Sequence, residues 1–299
     1  MDFPWRNSDY PEGTQFLYPQ YSGQKGWYQC TYIPNIVYAE RGGMTLDVQL
    51  LLPQGLQDEP LIVFIQGSGW GRQDVYTAIP SLSFVASQGF AVASVRYRDT
   101  SVATFPAPIE DLKSAIRFLR ANAELYGYSP RRIGIWGTSS GGHIASMVGL
   151  TPGEYDLGDY AGFDDSVMAV ADFFGPADLL HLNDFPGMDH NGADSPESKL
   201  LGCPLQSNPE LAQEASPICR VPHGKPLPAV LIVHGDTDMK VNFGQSAAFY
   251  RRLKEENADA ILYAVKSGDH GYLCPQTLQL VSDFMRTFLR KERDQTDIW

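Results

Sequence analysis

Residues 137–141 read Gly-Thr-Ser-Ser-Gly, a spacing in which the central serine can act as a nucleophile. An apolar run ends at this motif and a second one, Ile144–Val148, follows it, which predicts a strand, a sharp turn and a helix. The two glycines lack a β-carbon and so let strand and helix approach closely around a strained serine. We therefore predict that Ser139 is exposed at the turn and that the amide of Ser140, at the amino end of the helix, donates to an oxyanion. The alternative is a glycine-rich loop without chemistry, and the flanking strand and helix favour the nucleophile.

A nucleophilic serine needs a general base, and one histidine has both a late position and a glycine-rich loop. His270 lies in residues 267–272 (Ser-Gly-Asp-His-Gly-Tyr), after the last predicted strand. We predict that it takes the Ser139 proton on attack and returns it to the leaving group. A histidine is more often structural than catalytic. Five others are therefore predicted to be structural: His143, His181, His190, His223 and His234.

The acid that orients His270 has two rivals in the loop of residues 234–241. Asp238 is preferred over Asp236 because it stands farther beyond the end of the preceding predicted strand. Asp269 is a weaker candidate, since neighbouring side chains on an extended loop point apart.

A glycine-rich turn, residues 66–71 (Gln-Gly-Ser-Gly-Trp-Gly), follows an earlier apolar run. Its backbone amides are expected near the nucleophile, so that Ser68, with Gly67 or Gly69 beside it, supplies a second oxyanion donor. A plain tight turn is the alternative. Trp70 follows these donors directly and is predicted to bind substrate as a wall of the acyl pocket, although its residue type fits core packing equally well.

Strand and helix patterns alternate along the chain. Continuous apolar runs such as Leu61–Ile65 are typical of strands covered on both faces. Strands are predicted at residues 45–52, 61–65, 90–95, around 133, 168–173, 229–233 and 261–265, and helices at 79–89, 108–127 and 276–293. This order predicts an α/β fold with a mostly parallel sheet and helices on both faces. The loops named above then meet at the carboxyl ends of the strands.

The chain of 299 residues is predicted to have an irregular N-terminal arm, residues 1–34, and one domain over residues 35–299. A long connection, residues 151–228, contains short helical patterns near 176–182, 196–201 and 208–215. It is expected to include a cap-like insertion above the sheet, or else to extend the core. The acidic residues within 154–165 lack the order of a calcium loop and are predicted to form a solvated face.

Charge and composition exclude several partner classes. A net charge of −12, with no basic run, argues against nucleic acid and anionic membranes. No apolar stretch reaches the length of a membrane span and no signal peptide is visible, which favours a cytoplasmic protein. The cysteines form no C-x-x-C pair, so we predict free, buried thiols and no metal, although Cys203 and Cys219 are close enough to bridge.

Taken together, these motifs resemble the α/β-hydrolases of the hormone-sensitive-lipase-like and bacterial carbohydrate acetyl and feruloyl esterase group. The likeness spans about residues 35–292. It rests on residues 66–70, 95–98, 105–107, 137–142, 174–178, 194–202 and 234–238. The chain departs from the group where Gln66 replaces a histidine and Ser68 replaces a glycine. The resemblance implies the α/β-hydrolase fold and Asp238 as the triad acid.

The expected function is that of a serine carboxylesterase that needs no cofactor. Its expected substrates are short-chain acyl (acetyl) or hydroxycinnamoyl (feruloyl) esters, on a small molecule or an oligosaccharide, including plant carbohydrates. Catalysis would run through a Ser-His-Asp triad and an acyl-enzyme. An aryl formamidase or amidase, or a non-catalytic binding pseudo-hydrolase, is the alternative, and the sequence leaves the oligomeric state open.

Overall fold

The computed structural model describes residues 27–184, 187–271 and 273–289. Its strands are β1 (Cys30–Arg41), β2 (Met44–Pro53), β3 (Glu59–Ile65), β4 (Ala91–Val95), β5 (Tyr128–Thr138), β6 (Ala169–Phe173), β7 (Ala229–Gly235) and β8 (Ala260–Val265). Its helices are α1 (Ile79–Ser87), α2 (Ala107–Ala121), α3 (Ala123–Tyr126), α4 (Ser140–Leu150), α5 (Pro196–Leu201), α6 (Pro209–Glu214), α7 (Phe243–Glu255) and α8 (Pro275–Phe288).

The strands form one eight-stranded sheet in the order β1-β2-β4-β3-β5-β6-β7-β8. The pairings of β1 with β2 and of β2 with β4 are antiparallel, and all the others are parallel. Alternate residues of β3 belong to two hydrophobic clusters: Leu61, Val63 and Ile65 pack with α2, α4 and α7, whereas Ile62 and Phe64 pack with α1 and α8. The strand is therefore apolar from Leu61 to Ile65 because both faces are covered there. The predicted fold class is confirmed.

Three boundaries differ substantially from the prediction. Strand β1 begins at Cys30, inside the segment predicted to be an irregular arm, while residues 1–26 lie outside the described residues. The helix predicted over 108–127 ends at Ala121, and the separate short helix α3 follows after Asn122, whose side-chain amide (2.8 Å) and backbone amide (3.1 Å) both donate to the Phe118 carbonyl. The last helix ends at Phe288, and residues 290–299 lie outside the described residues.

The connection between β6 and β7 contacts loops at the carboxyl edge of the sheet. The Leu200 carbonyl accepts from the amide of Phe105 (2.7 Å), and the amide of Met188 donates to the carbonyl of Met239 (3.1 Å). Pro196 would lie 3.4 Å from a β-carbon built at Gly69. These contacts put the connection beside the site loops, and its role as a cap stays a prediction.

The acidic segment is not simply a solvated face. Asp165 is buried, and its carboxylate pairs with Lys113 (3.4 Å) and Arg117 (2.7 Å) of α2. Its neighbours Asp156 and Asp164 pair with Arg117 and Arg120 of the same helix. The prediction is therefore wrong for Asp165, because α2 carries a row of cations that this segment neutralises.

The four cysteines are free, so Cys203 and Cys219 are not bridged. The prediction that the thiols are buried is wrong: Cys219 is exposed, and Cys30, Cys203 and Cys274 are only half-buried. Within the described part of the chain, each helix is too short or too polar to cross a bilayer.

Candidate active site

Ser139 stands at a strained turn between β5 and α4. Its φ of 55° and ψ of −125° are rare for a residue with a side chain. The amide of Ser139 donates to the carbonyl of Phe173 on the neighbouring strand (2.8 Å), which holds this conformation. A β-carbon at Gly137 would overlap the carbonyl of Gly141, so the turn requires glycine there.

The three residues predicted to act together form one hydrogen-bonded chain. Ser139 Oγ lies 2.9 Å from His270 Nε2, and His270 Nδ1 lies 2.7 Å from Asp238 Oδ2. A carboxylate only accepts, so Nδ1 carries the proton and Nε2 is free to accept from the serine hydroxyl. The ring is 14% exposed and contacts the edge of Phe174 at 4.8 Å between centroids. This is the arrangement in which a serine can be deprotonated as it attacks.

Asp238 is a fully buried carboxylate that accepts four hydrogen bonds. Its Oδ2 accepts from His270 and His234 (3.1 Å), and its Oδ1 accepts from the amides of Lys240 (2.8 Å) and Val241 (3.0 Å). Burial alone would raise its pKa, but the hydrogen bonds from His234 and His270 outweigh it and hold the pKa well below the usual range. Asp238 is therefore ionised at neutral pH, beside the Nδ1 proton of His270.

His234 is the residue that sequence reasoning undervalued. It is buried at the end of β7, where its Nε2 donates to Asp238 and to the carbonyl of Val241 (2.7 Å). Its Nδ1 forms a hydrogen bond with the hydroxyl of Ser246 (2.6 Å). The two oxygen acceptors require a proton on Nε2, which anchors the carboxylate of Asp238. The available signal was its spacing, four residues before Asp238 at a strand end.

The rival residues lie in other environments. Asp236 pairs with the exposed Lys266 (2.7 Å), which lowers the pKa of its carboxyl. Asp269 accepts from the backbone amide of His270 (2.8 Å). His143 is buried in α4, and burial lowers its pKa to about 4. The remaining histidines pair with acids elsewhere: His181 with Asp178, His190 with Glu197 and His223 with Glu256.

The loop predicted to supply oxyanion donors packs directly on the nucleophile turn. A β-carbon at Gly67 would overlap the Thr138 carbonyl and lie 2.8 Å from Ser139 Cβ. The amide of Gly67 donates to Thr138 Oγ1 (3.0 Å), and that of Ser68 donates to Ser140 Oγ (2.9 Å). The sequence predicted that these two amides are available to donate to an oxyanion. In the structure both already donate to side-chain hydroxyls of the nucleophile turn. The amide of Ser140 belongs to the first turn of α4 and has no acceptor within the helix.

The prediction that Trp70 forms a pocket wall is wrong. Its side chain is buried in the hydrophobic core, with the residue 1% exposed. The indole Nε1 donates to His143 Nδ1 (3.1 Å), and the two rings meet edge to face at 5.1 Å. Because His143 Nε2 donates to the carbonyl of Ala215 (2.7 Å), the indole completes a buried chain instead of facing a ligand.

Comparison with known proteins adds a family and several relatives. The BD-FAE family model matches residues 46–253. Esterase LipC of Mycobacterium tuberculosis is 28% identical over 79% of this chain and 59% of its own length, and Esterase LipQ of the same organism is 29% identical over 76% and 55%. The chain thus spans less than two thirds of these relatives.

Two solved structures are similar with TM-scores of 0.78. One, a truncated form of a carbohydrate esterase from gut microbiota, is 29% identical and covers 90% of this chain and 99% of its own. The other, a bifunctional GH43-CE from Bacteroides eggerthii, is 31% identical and covers 87% of this chain and 38% of its own.

Proposed function

Since the chain belongs to the BD-FAE family of α/β-hydrolases, we propose that it is a serine carboxylesterase that works through Ser139, His270 and Asp238. The observation that carries the proposal is the unbroken hydrogen-bond chain between these residues, 2.9 Å from Ser139 to His270 and 2.7 Å from His270 to Asp238. The esterase names of the relatives support the same reaction.

In the proposed reaction Ser139 Oγ attacks the ester carbonyl while His270 Nε2 takes its proton. Asp238 stabilises the imidazolium that forms, and the amide of Ser140 donates to the oxyanion. When the tetrahedral intermediate collapses, His270 gives the proton to the leaving alcohol and an acyl-enzyme remains. Water, activated by His270, then releases the acid and restores Ser139.

The proposed substrates are acetyl or hydroxycinnamoyl esters of carbohydrates. Support comes from the two carbohydrate-esterase neighbours and from the surface beside the acid loop. There Met188 and Met239, joined by a backbone hydrogen bond of 3.1 Å, are 42% and 57% exposed. Exposed, flexible thioethers on the segment that follows Asp238 and on the segment bonded to it suit contact with an aromatic acyl group.

The test combines covalent labelling with a substrate panel. A fluorophosphonate probe should modify Ser139 in the intact protein, located by mass spectrometry of the peptides, and should not label Ser139→Ala. The panel contains p-nitrophenyl acetate and butyrate, methyl ferulate, acetylated xylan and an N-formyl arylamine. An unlabelled Ser139 would reject the serine-hydrolase proposal, and turnover of the formyl amide alone would replace the esterase by an amidase.

A further inference from the structure

A buried tyrosine lies beneath the junction of the oxyanion loop and the nucleophile turn. Tyr97, two residues beyond β4, has no exposed surface. Its hydroxyl lies 3.2 Å from Ser68 Oγ, in the loop. Burial raises the pKa of Tyr97 to about 12, and the neighbouring polar side chains of Ser68, Ser140 and Gln73 oppose this shift. The phenol is therefore neutral, and it is hydrogen-bonded to the loop through Ser68, whose amide donates to Ser140 Oγ.

The direction of each hydrogen bond in this cluster follows from its partners. Ser68 Oγ donates to the carbonyl of Gly71 (2.8 Å), which only accepts, so the single Ser68 hydroxyl proton is used there. The bond between Tyr97 and Ser68 must then be donated by Tyr97. The Ser68 amide donates to Ser140 Oγ (2.9 Å), so Ser68 connects Tyr97 to the residue that follows the nucleophile.

A second contact ties Tyr97 to the same loop. Gln73 Oε1 accepts from the backbone amide of Tyr97 (3.2 Å), and Gln73 Nε2 donates to the Gly71 carbonyl (2.7 Å). Gly71 and Ser68 are further joined by a backbone bond of 3.1 Å. The loop is thus anchored to the end of β4 through both the side chain and the main chain of Tyr97.

We propose that Tyr97 is a positioning residue for the oxyanion site, acting through Ser68, whose hydroxyl it binds and whose amide donates to the Ser140 hydroxyl. This inference rests on the proposed esterase function. At rest, Ser140 Oγ is a neutral acceptor that satisfies the Ser68 amide and keeps it aimed at the nucleophile turn. An oxyanion is a stronger acceptor than a hydroxyl, so when it forms it replaces Ser140 Oγ as the hydrogen-bond acceptor of the Ser68 amide. Tyr97 holds the loop and the turn at the separation that this exchange needs.

Loss of the phenol hydroxyl should therefore reduce the chemical step more than substrate binding. Removing a whole oxyanion donor costs on the order of 10²–10³-fold in kcat. Tyr97→Phe keeps the donor but loosens it, so we expect kcat to fall by roughly 10-fold to 100-fold with KM changed by less than about threefold. The rate constant for fluorophosphonate labelling of Ser139 should fall in parallel, because the phosphoryl oxygen uses the same donors.

The decisive experiment is a double-mutant cycle of Tyr97→Phe and Ser68→Ala, read by kcat, KM and the labelling rate constant. Ser68→Ala keeps the amide but removes the partner of Tyr97, so it should cause a similar loss, and the double variant should lose little more than either single one. Tyr128→Phe is the matched control: Tyr128 is also buried, and its hydroxyl donates to the Leu119 carbonyl (2.7 Å) at the opposite end of β5. In Tyr128→Phe, the rate constant for fluorophosphonate labelling of Ser139 should equal that of the parent protein.

Additive losses, or labelling of Tyr97→Phe at the parent rate, would overturn the inference. If Tyr97→Phe does not fold, Ser68→Ala alone decides: an unchanged labelling rate rejects the role of the hydroxyl cluster, and a loss confined to kcat supports it. Failure of the esterase proposal looks different, because the parent protein itself would not be labelled at Ser139.

Discussion

The Trp70 indole offers a quantitative test of the buried chain behind the nucleophile. In Trp70→Phe the aromatic ring is retained in smaller form, but His143 Nδ1 loses the donor that lies 3.1 Å away. The ring cannot recover by moving its proton, because Nε2 must still donate to Ala215 (2.7 Å). Burial lowers the pKa of His143 to about 4, so it does not protonate near neutral pH either. The variant therefore leaves one buried acceptor without a partner.

Trp136→Phe is a control of the same size. Trp136 is fully buried in the other hydrophobic cluster, and among the described residues its Nε1 has no hydrogen-bond partner. Both variants lose the same part of the indole, but only Trp70→Phe orphans an acceptor, which costs about 1–3 kcal/mol. We expect the free energy of unfolding of Trp70→Phe to be lower than that of Trp136→Phe by that amount, in urea titrations with equal slopes.

The same variants test whether Trp70 touches the substrate. A core residue should leave the ratio of kcat/KM for acetyl and butyryl esters unchanged, since the space around the acyl group is the same. The reasoning is refuted if Trp70→Phe is no less stable than Trp136→Phe, or if that ratio moves while the stability does not.

Three further predictions follow from the site. Asp238→Asn should lower kcat by roughly 10⁴-fold in ester hydrolysis, whereas Asp236→Asn should change it less than about threefold; the reverse order would reassign the acid. Gly67→Ala should abolish most activity at normal expression, because its β-carbon meets the nucleophile turn, while Gly192→Ala, with its nearest contact at 3.7 Å, should be neutral in the same assay. Burial raises the pKa of Asp172 to about 6, so the folded state favours the protonated form and loses stability as pH rises from about 4 to 6. His143, whose pKa burial lowers to about 4, shifts stability in the opposite direction over the same range, so the test compares Asp172→Asn with the parent by chemical unfolding. The free energy of unfolding of the variant should rise by about 3 kcal/mol relative to that of the parent between pH 4 and 7, and a constant difference would contradict the shift.

Local sequence patterns were enough to predict the strands and helices and two members of the proposed triad, Ser139 and His270. Gly137 and Gly141 are required beside Ser139 because the turn has no room for a β-carbon at either position. This constraint is visible in the sequence because it involves only residues 137–141. Continuous apolar runs identify strands covered on both faces. Such a strand is apolar because it is buried, whichever elements cover it, so the pattern can be recognised without knowing the neighbours. His270 stood out by its loop, and the order of strands put that loop at the same edge as Ser139.

Tertiary structure decided what the site residues touch. Ser139 and His270 are 131 residues apart, and Trp70 and His143 are 73 apart, so no local pattern encodes either hydrogen bond. Trp70 belongs to the core because a histidine acceptor from another element lies within 3.1 Å of its indole nitrogen. The amides of the oxyanion loop are engaged for the same reason, since hydroxyls from the nucleophile turn reach them across the sheet edge. A side chain's role depends on the donor or acceptor that folding brings to it, and only the packed chain supplies that partner.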